Sequence, residues 1–593
     1  MGVYTKLADD VQEVDVIIAG GKSHRLLLAD PKLSILLIEG GPNNYNMPNI
    51  VHPVFFLDHL HPTSQTTIFY KTKQHADREV IVPSGGTIGG GSSINFMMYT
   101  RAQRSDFDSW KSRGWSADEL WPYLKLENYH GQGEKDHHGS DGPVHVPDST
   151  FRARGSQDDF IGAAAQVGWP EIKDLQTLDA NNGIERWQRY ISKDVKRQDT
   201  AHKYLHEKLR SRDSPNLHAL VESKVVRVLF DDDKRAIGVE YTPNPDLQPT
   251  LATPQQPKLT VRARNQVIVS CGACGTPPVL ERSGLGDPEV LKKVGVPVVV
   301  DLPAVGRDYQ DHNLSLYPYR TSLKPRETID VVLRNPGNRQ NLIDAKDDTL
   351  GWNSIGISSK LRPTEEDVAA LGPEFQAAWN QDFKNAPDRP LMLMGVLLGR
   401  PIVCPEAQYV TIGNYTAYPY SRGHMYITGP ELSDPLDFDV GFFSDAHDID
   451  LKKQIWAYKK QREIMRRTSM YRGELAPGHP AFPAGSEVGC IETYTPLSNV
   501  KDLKYSPEDD AAIEKWLREN IGTTWHSLGT AKMAPREEFG VADESLNVWG
   551  TKGLKIADLS ILPMNVGANT NNTAIVVGEK AAAILIQELG LQK

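Results

Sequence analysis

Two short apolar runs near the start of the chain, Val14–Ala19 (VDVIIA) and Leu33–Ile38 (LSILLI), lack the alternation of a half-exposed strand. They are predicted as neighbouring parallel strands buried on both faces. The first ends at Gly20-Gly21 and the second at Glu39. A glycine turn after one strand and an acid closing the next predict a dinucleotide-binding crossover, with Glu39 on the ribose hydroxyls of an adenosine. The segment between them departs from that pattern. Counted from Gly20, G-x-G-x-x-G meets Lys22 and Arg25 where glycines belong. Lys22 to Asp30 supplies only about 13 Å of helix at about 1.5 Å per residue, against a strand of about 17–20 Å. Weakened dinucleotide binding is the expectation.

Further along, Ser116 with Glu119 forms a capping box for a surface helix, and the polar stretch from there to Pro147 reads as a loop with His137 and His138 solvated. LHALVES, KVVRVLF and AIGVEY, between Asn216 and Tyr241, predict a β-meander, followed by strands at Leu259–Ala263 and Gln266–Ser270. Thr276 is expected to cap a helix carrying Pro277 and Pro278 in its first turn and ending at Gly284. From about Asn313 to Pro507, strands such as PLMLMGVLL and MYITG suggest a substrate-covering domain, and His447–Arg467 a helix whose Lys/Arg run is a solvated face. Asn571 or Asn572 is expected to cap a final buried helix that stops at Gly590 and offers its positive N-terminus to an anion.

With 593 residues the chain exceeds a single core. A net charge of −10 leaves no basic stripe for nucleic acid or an anionic membrane. The four cysteines, Cys271, Cys274, Cys404 and Cys490, are too few to staple a secreted fold, and the Cys271/Cys274 pair lacks a second pair for zinc, so packing is the expected role and no metal is expected. With no signal-type h-region, no membrane-spanning run and no SKL terminus, an intracellular, cytoplasmic protein is expected, the peroxisome remaining open. The densest chemical signal is SGGTIGGGSSINFMMYTR, Ser84–Arg101. Five glycines remove Cβ atoms, Ser92, Ser93 and Asn95 offer hydrogen bonds, and Met97 and Met98 offer soft apolar surface, which suits a flat redox cofactor.

GGTIGGGSSINFMMYTR resembles the first signature of the glucose-methanol-choline (GMC) flavin oxidoreductases, and GACGTPPVLERSGLG, Gly272–Gly286, their second. VGRDYQDH, WHSLGTAKM and DLSILPMNVGANT resemble further family blocks, with closest likeness to the fungal alcohol (methanol) oxidase branch. The resemblance implies an α/β fold: a Rossmann-like FAD-binding domain, discontinuous in sequence (13–150, 215–312, 515–593), with an antiparallel-sheet substrate-binding domain inserted (151–214, 313–514). It implies His526 as the catalytic base and Asn569 as holder of the substrate hydroxyl. It places FAD on Gly20, Gly21, Glu39, Gly90, Asn95, Phe96, Met97, Val225, Trp525, Asp558, Asn569 and Thr570. Val225 would meet adenine through its backbone, Asp558 the phosphate and ribityl part, and Asn95 and Met97 the isoalloxazine. The implied reaction oxidises a primary alcohol by hydride transfer to flavin N5, with oxygen or another electron acceptor as partner, in a chain that can form a homo-oligomer. Two alternatives stand beside it: a relative acting on aromatic or specialised-metabolite alcohols, and a flavin-deficient pseudoenzyme produced by the truncated crossover.

Overall fold

The computed structural model describes residues 2–8, 11–21, 32–75, 78–148, 151–211, 214–248, 258–333, 336–400 and 407–591. The Lys22–Asp30 crossover and Cys404 lie outside these residues.

The molecule is α/β, built on two large sheets. The first runs in the order Gly2–Tyr4, Leu217–Leu220, Ile35–Ile38, Glu13–Ala19, Leu259–Val269, Ala236–Pro243, Ser223–Phe230. Its middle is parallel, as the unbroken apolar runs require: Val16–Ala19 pair residue by residue with Ile35–Ile38. All of these residues are fully or almost fully buried, and each such Val, Leu or Ile contributes about 1.5–3 kcal/mol on leaving water. Leu259–Val269 changes partners along its length. Its first half pairs antiparallel with Ala236–Pro243, and its second half pairs parallel with Leu554–Ile556 from near the C-terminus.

The second sheet is antiparallel, ordered Tyr471–Glu474, Asn313–Thr321, Gln408–Thr416, Met392–Leu397, Ile355–Lys360, Gly183–Arg186. The two-residue strand Gly522–Thr523 joins it against Asn313-Leu314, which ties the start of the C-terminal region to this sheet. Helix Ile449–Arg467 packs on it, and helix Asn571–Glu588 packs in the core of the first sheet.

Several expectations need correction. LHALVES is no part of a meander: Leu217–Leu220 is parallel to Ile35–Ile38, and only the hairpin Ser223–Phe230/Ala236–Pro243 and its neighbour alternate in direction. The alternation showed a strand but not which edge would take it. Leu259–Ala263 and Gln266–Ser270 form one strand, its register shifting between Ala263 and Gln266. The stretch before Pro147 holds two short parallel strands, Glu127–His130 and Val144–Pro147, and His138 is buried. On the Ile449–Arg467 helix, Lys453 and Arg462 are fully buried, paired with Asp450 and Glu474. Thr276 lies inside its helix and donates to Asp558 instead of capping, while Thr570 occupies the position assigned to Asn571 or Asn572. The Ser116/Glu119 box forms as expected.

Candidate active site

The loops that leave the parallel strands converge. Gly20-Gly21 follow Glu13–Ala19, Glu39 follows Ile35–Ile38, Ser270-Cys271 follow Leu259–Val269, and Leu559 lies three residues past Ile556. All of them line one cavity of about 930 Å³, near the top of the roughly 300–1,000 Å³ range of ligand pockets. A crevice at the carboxyl ends of parallel strands is where open α/β sheets bind ligands.

At one end Glu39 is buried, and its carboxylate accepts from the Gly41 N–H at 2.8 Å. Desolvation raises its pKa, against the pull of the surrounding backbone N–H groups. Val225 and Asn244 complete this end. Gly20, at φ +102°, is forced to be glycine by the sheet, because a Cβ would fall 2.3 Å from the Ser270 carbonyl oxygen. Gly91 and Gly272 are different: a Cβ on either would meet no protein atom within 4 Å. Both face the cavity, so their missing side chains leave room for a ligand.

Asn95, Phe96 and Met97 form the wall toward the other end. Met97 has φ 60° and Trp525 φ 62°, both in the left-handed region. Such backbone costs on the order of 1–3 kcal/mol and gathers at functional sites. Asn95 holds Met97 in place, its side-chain oxygen accepting from the Met97 N–H at 2.9 Å and from Arg197 Nη1 at 3.0 Å. Phe96 meets Trp525 edge to face at 4.9 Å.

Past this wall a relay of hydrogen bonds joins remote segments. His312 Nε2 lies 2.9 Å from the Val566 carbonyl, His312 Nδ1 lies 2.9 Å from His526 Nδ1, and His526 Nε2 lies 3.3 Å from Asn569 Nδ2. A carbonyl can only accept, so His312 carries its proton on Nε2. Burial lowers the His312 pKa to about 4, so the ring is neutral and Nδ1 is a lone pair. His526 must then donate through Nδ1–H, which leaves Nε2 as a free base beside the Asn569 amide and on the cavity wall. Desolvation, and after it the neighbouring His312, hold the His526 pKa well below its usual value. The relay is braced from behind, where Asp311 accepts the His526 backbone N–H at 3.0 Å. Burial pushes the Asp311 carboxyl up to about 6.

Of the residues named from sequence, all but one line this cavity: Gly20, Gly21, Glu39, Gly90, Asn95, Phe96, Met97, Val225, Trp525, His526, Asn569 and Thr570. Asp558 stands one layer back. Its carboxylate accepts from Gly272 N–H at 2.9 Å, Thr276 Oγ1 at 2.6 Å and Ser560 N–H at 2.7 Å, which fixes the turn that faces the cavity. Cys271 and Cys274, expected only to pack, both lie on the cavity wall, Cys274 buried and Cys271 partly exposed. Among the described residues no His/Cys/Asp/Glu group could hold a metal, and no helix is long and apolar enough to cross a membrane. Sequence reasoning missed His312, Thr100 and Tyr415. His312 stood in the VGRDYQDH block, but nothing there says what its ring touches.

The cavity wall carries a buried acid, Glu39, and a neutral imidazole, His526, an arrangement that a dinucleotide-dependent oxidoreductase would use. Residues 15–314 and 419–578 match the two sequence profiles of the GMC oxidoreductases, and the chain belongs to that family. It is 37% identical to an alcohol oxidase of Candida boidinii, over 98% of this chain and 96% of that protein. Alcohol oxidase 1 of Komagataella phaffii is 35% identical over the same shares. Among solved structures, formate oxidase from Aspergillus oryzae superposes with TM-score 0.81 at 20% identity, covering 98% of this chain and 99% of that one. An FAD-dependent oxidoreductase from Chaetomium thermophilum gives 0.77 at 25% identity, covering 98% and 100%. The cofactor is FAD.

Proposed function

We propose that the protein oxidises short primary alcohols to aldehydes, with oxygen as the final acceptor. The carrying observation is the relay that leaves His526 Nε2 unprotonated next to the Asn569 amide. His526 takes the hydroxyl proton of the alcohol, a role suited to an imidazole that stays neutral across physiological pH. The Nδ1–H to His312 bond stabilises the imidazolium that forms. Asn569 Nδ2 holds the alcohol oxygen and thereby orients the carbinol C–H. Phe96 and Trp525 close ring against ring at this end, which favours a small alkyl group over a bulky one. When bound, FAD supplies the acceptor for the hydride and passes the electron pair to oxygen, giving hydrogen peroxide. Glu39 and Val225 would hold its adenosine, and Gly91, Gly272 and the first turns of helix Asn571–Glu588 the remainder. The free thiols among the described residues, Cys271, Cys274 and Cys490, support a reducing, intracellular setting.

The test is anaerobic bleaching of the purified yellow protein by methanol or ethanol, followed by recovery of colour and release of peroxide on admitting oxygen. A coloured protein that no primary alcohol bleaches overturns the proposal. Flavin content should rise when a full-length glycine-rich turn and helix are inserted after Gly21, because Lys22 and Arg25 stand at two fingerprint glycine positions. Equal content in both proteins would show the short crossover to be harmless.

A further inference from the structure

A primary amide has one donating and one accepting end, and which end of Asn569 faces the cavity decides what it can do to an alcohol oxygen. In the structure its Oδ1 receives two hydroxyl protons, from Thr100 Oγ1 at 2.9 Å and Tyr415 Oη at 3.1 Å, while Nδ2 faces His526 Nε2. We propose that Thr100 and Tyr415 are positioning residues that lock the Asn569 amide with its NH2 toward the reacting oxygen. The inference rests on the alcohol-oxidation reading of the site.

Both hydroxyls donate to this one oxygen, and both side chains are buried, Thr100 at 2% exposure and Tyr415 at 5%. Turning the amide over would strand two hydroxyl protons and set Oδ1 against the lone pair of His526 Nε2, acceptor facing acceptor. Leaving buried polar groups unpaired is the costly side of hydrogen bonding. Burial also raises the Tyr415 phenol well above its ordinary value, so it remains a donor at any pH the protein meets.

The two hydroxyls are themselves held by independent parts of the fold. Thr100 sits between clamped peptide groups. Trp187 Nε1 donates to the Tyr99 carbonyl at 2.8 Å, the Arg101 N–H donates to Gln176 Oε1 at 2.8 Å, and Lys360 Nζ donates to the Arg101 carbonyl at 3.1 Å. Tyr415 comes from the second sheet, on a strand registered between Leu314 and Leu393, and its ring lies 6.0 Å from that of His312 and 6.1 Å from that of His526. The amide is therefore gripped from both halves of the molecule.

The experiment combines kinetics with a readout that needs no turnover. In the flavin-loaded enzyme, Thr100→Val with Tyr415→Phe should lower kcat about 10- to 100-fold, the scale of a misplaced reacting group. Thr100→Ser, which keeps the hydroxyl, should restore the parent rate in the Tyr415-intact protein. In an Asn569→Ala background the same pair of changes should add less than about twofold, because their effect passes through the amide. Separately, in protein labelled with 15N-histidine, the His526 Nε2 resonance, assigned by its loss in His526→Gln, should shift in the doubly substituted protein as the amide loses its fixed orientation. An unmoved resonance, or a loss of rate in the Asn569→Ala background equal to that in the parent background, overturns the lock. If the parent binds flavin but oxidises no alcohol, the functional reading fails, and the resonance alone then decides the lock.

Discussion

Two buried histidine centres in this molecule are held in opposite charge states. Beside the cavity, His526 and His312 meet another imidazole, a carbonyl and an amide, with no carboxylate on either ring, so burial wins and both stay neutral. Behind the Tyr99–Arg101 segment, His138 lies between two acids, with Nδ1 3.0 Å from Glu127 Oε1 and Nε2 2.9 Å from Asp174 Oδ2. Desolvation works against its charge there too, but the hydrogen bonds to Asp174 and Glu127 overcome it and raise the pKa. Tyr129 stacks on the ring at 3.7 Å. Burial alone therefore decides nothing about a histidine; what its two nitrogens touch decides. One centre leaves a nitrogen lone pair, Nε2 of His526, on the cavity wall, and the other keeps its protons as part of the fold.

The comparison is sharpened most by deletion. His526→Ala should lower kcat about 10²- to 10⁴-fold with flavin colour retained, measured by steady-state oxidation of ethanol; a parent rate would remove His526 from the base role. His138→Phe should act on stability, because it strips Asp174 Oδ2 of its partner. A loss of about 3–5 kcal/mol is expected, read from urea unfolding, and a loss below about 1 kcal/mol would mean that His138 carries no charge.

The two centres should also tilt stability in opposite directions with pH. The folded pKa values of His526 and His312 lie below the unfolded value of about 6.5, so on acidification the unfolded chain binds these protons first and stability falls below about pH 6.5. The folded pKa of His138 lies above it, so its contribution is complete below about pH 6.5 and is lost as pH rises through the folded value. Each group contributes a slope of at most about 1.4 kcal/mol per pH unit. His138→Phe should flatten the alkaline limb only and His312→Phe the acid limb only, and a swap of limbs would reverse the assignment. The smallest effect belongs to Tyr129→Leu, about 0.5–2 kcal/mol from lost stacking on a cation. That loss should shrink once the pH passes the titration of His138.

The parallel strands were legible in the sequence because backbone geometry writes itself into glycines and apolar runs: Val14–Ala19 and Leu33–Ile38 hold the paired strands, and Gly20-Gly21 and Glu39 follow them on one cavity wall. His526 and Asn569 were legible only through resemblance to family blocks. The grip on them was not. Thr100, His312, Tyr415 and Val566 come from four distant segments joined by single hydrogen bonds, which leave no periodicity. His138 was misread for a related reason, since a polar stretch rich in Gly, His and Asp looks solvated unless the acids that meet it, Glu127 and Asp174, are known to be near. On the Ile449–Arg467 helix, the charges of Lys453 and Arg462 hid their burial in the same way.

The first sheet accepts Leu554–Ile556 beside Leu259–Val269, about 285 residues after the older strand has left the ribosome. At about 5–20 residues per second, the growing chain waits roughly 15–60 s with that edge unpaired. During this interval the antiparallel sheet can assemble, but the cofactor crevice lacks its closing strand and the final helix. Nascent chains should therefore depend on chaperones that shield strand edges, and flavin should be captured only after helix Asn571–Glu588 has emerged.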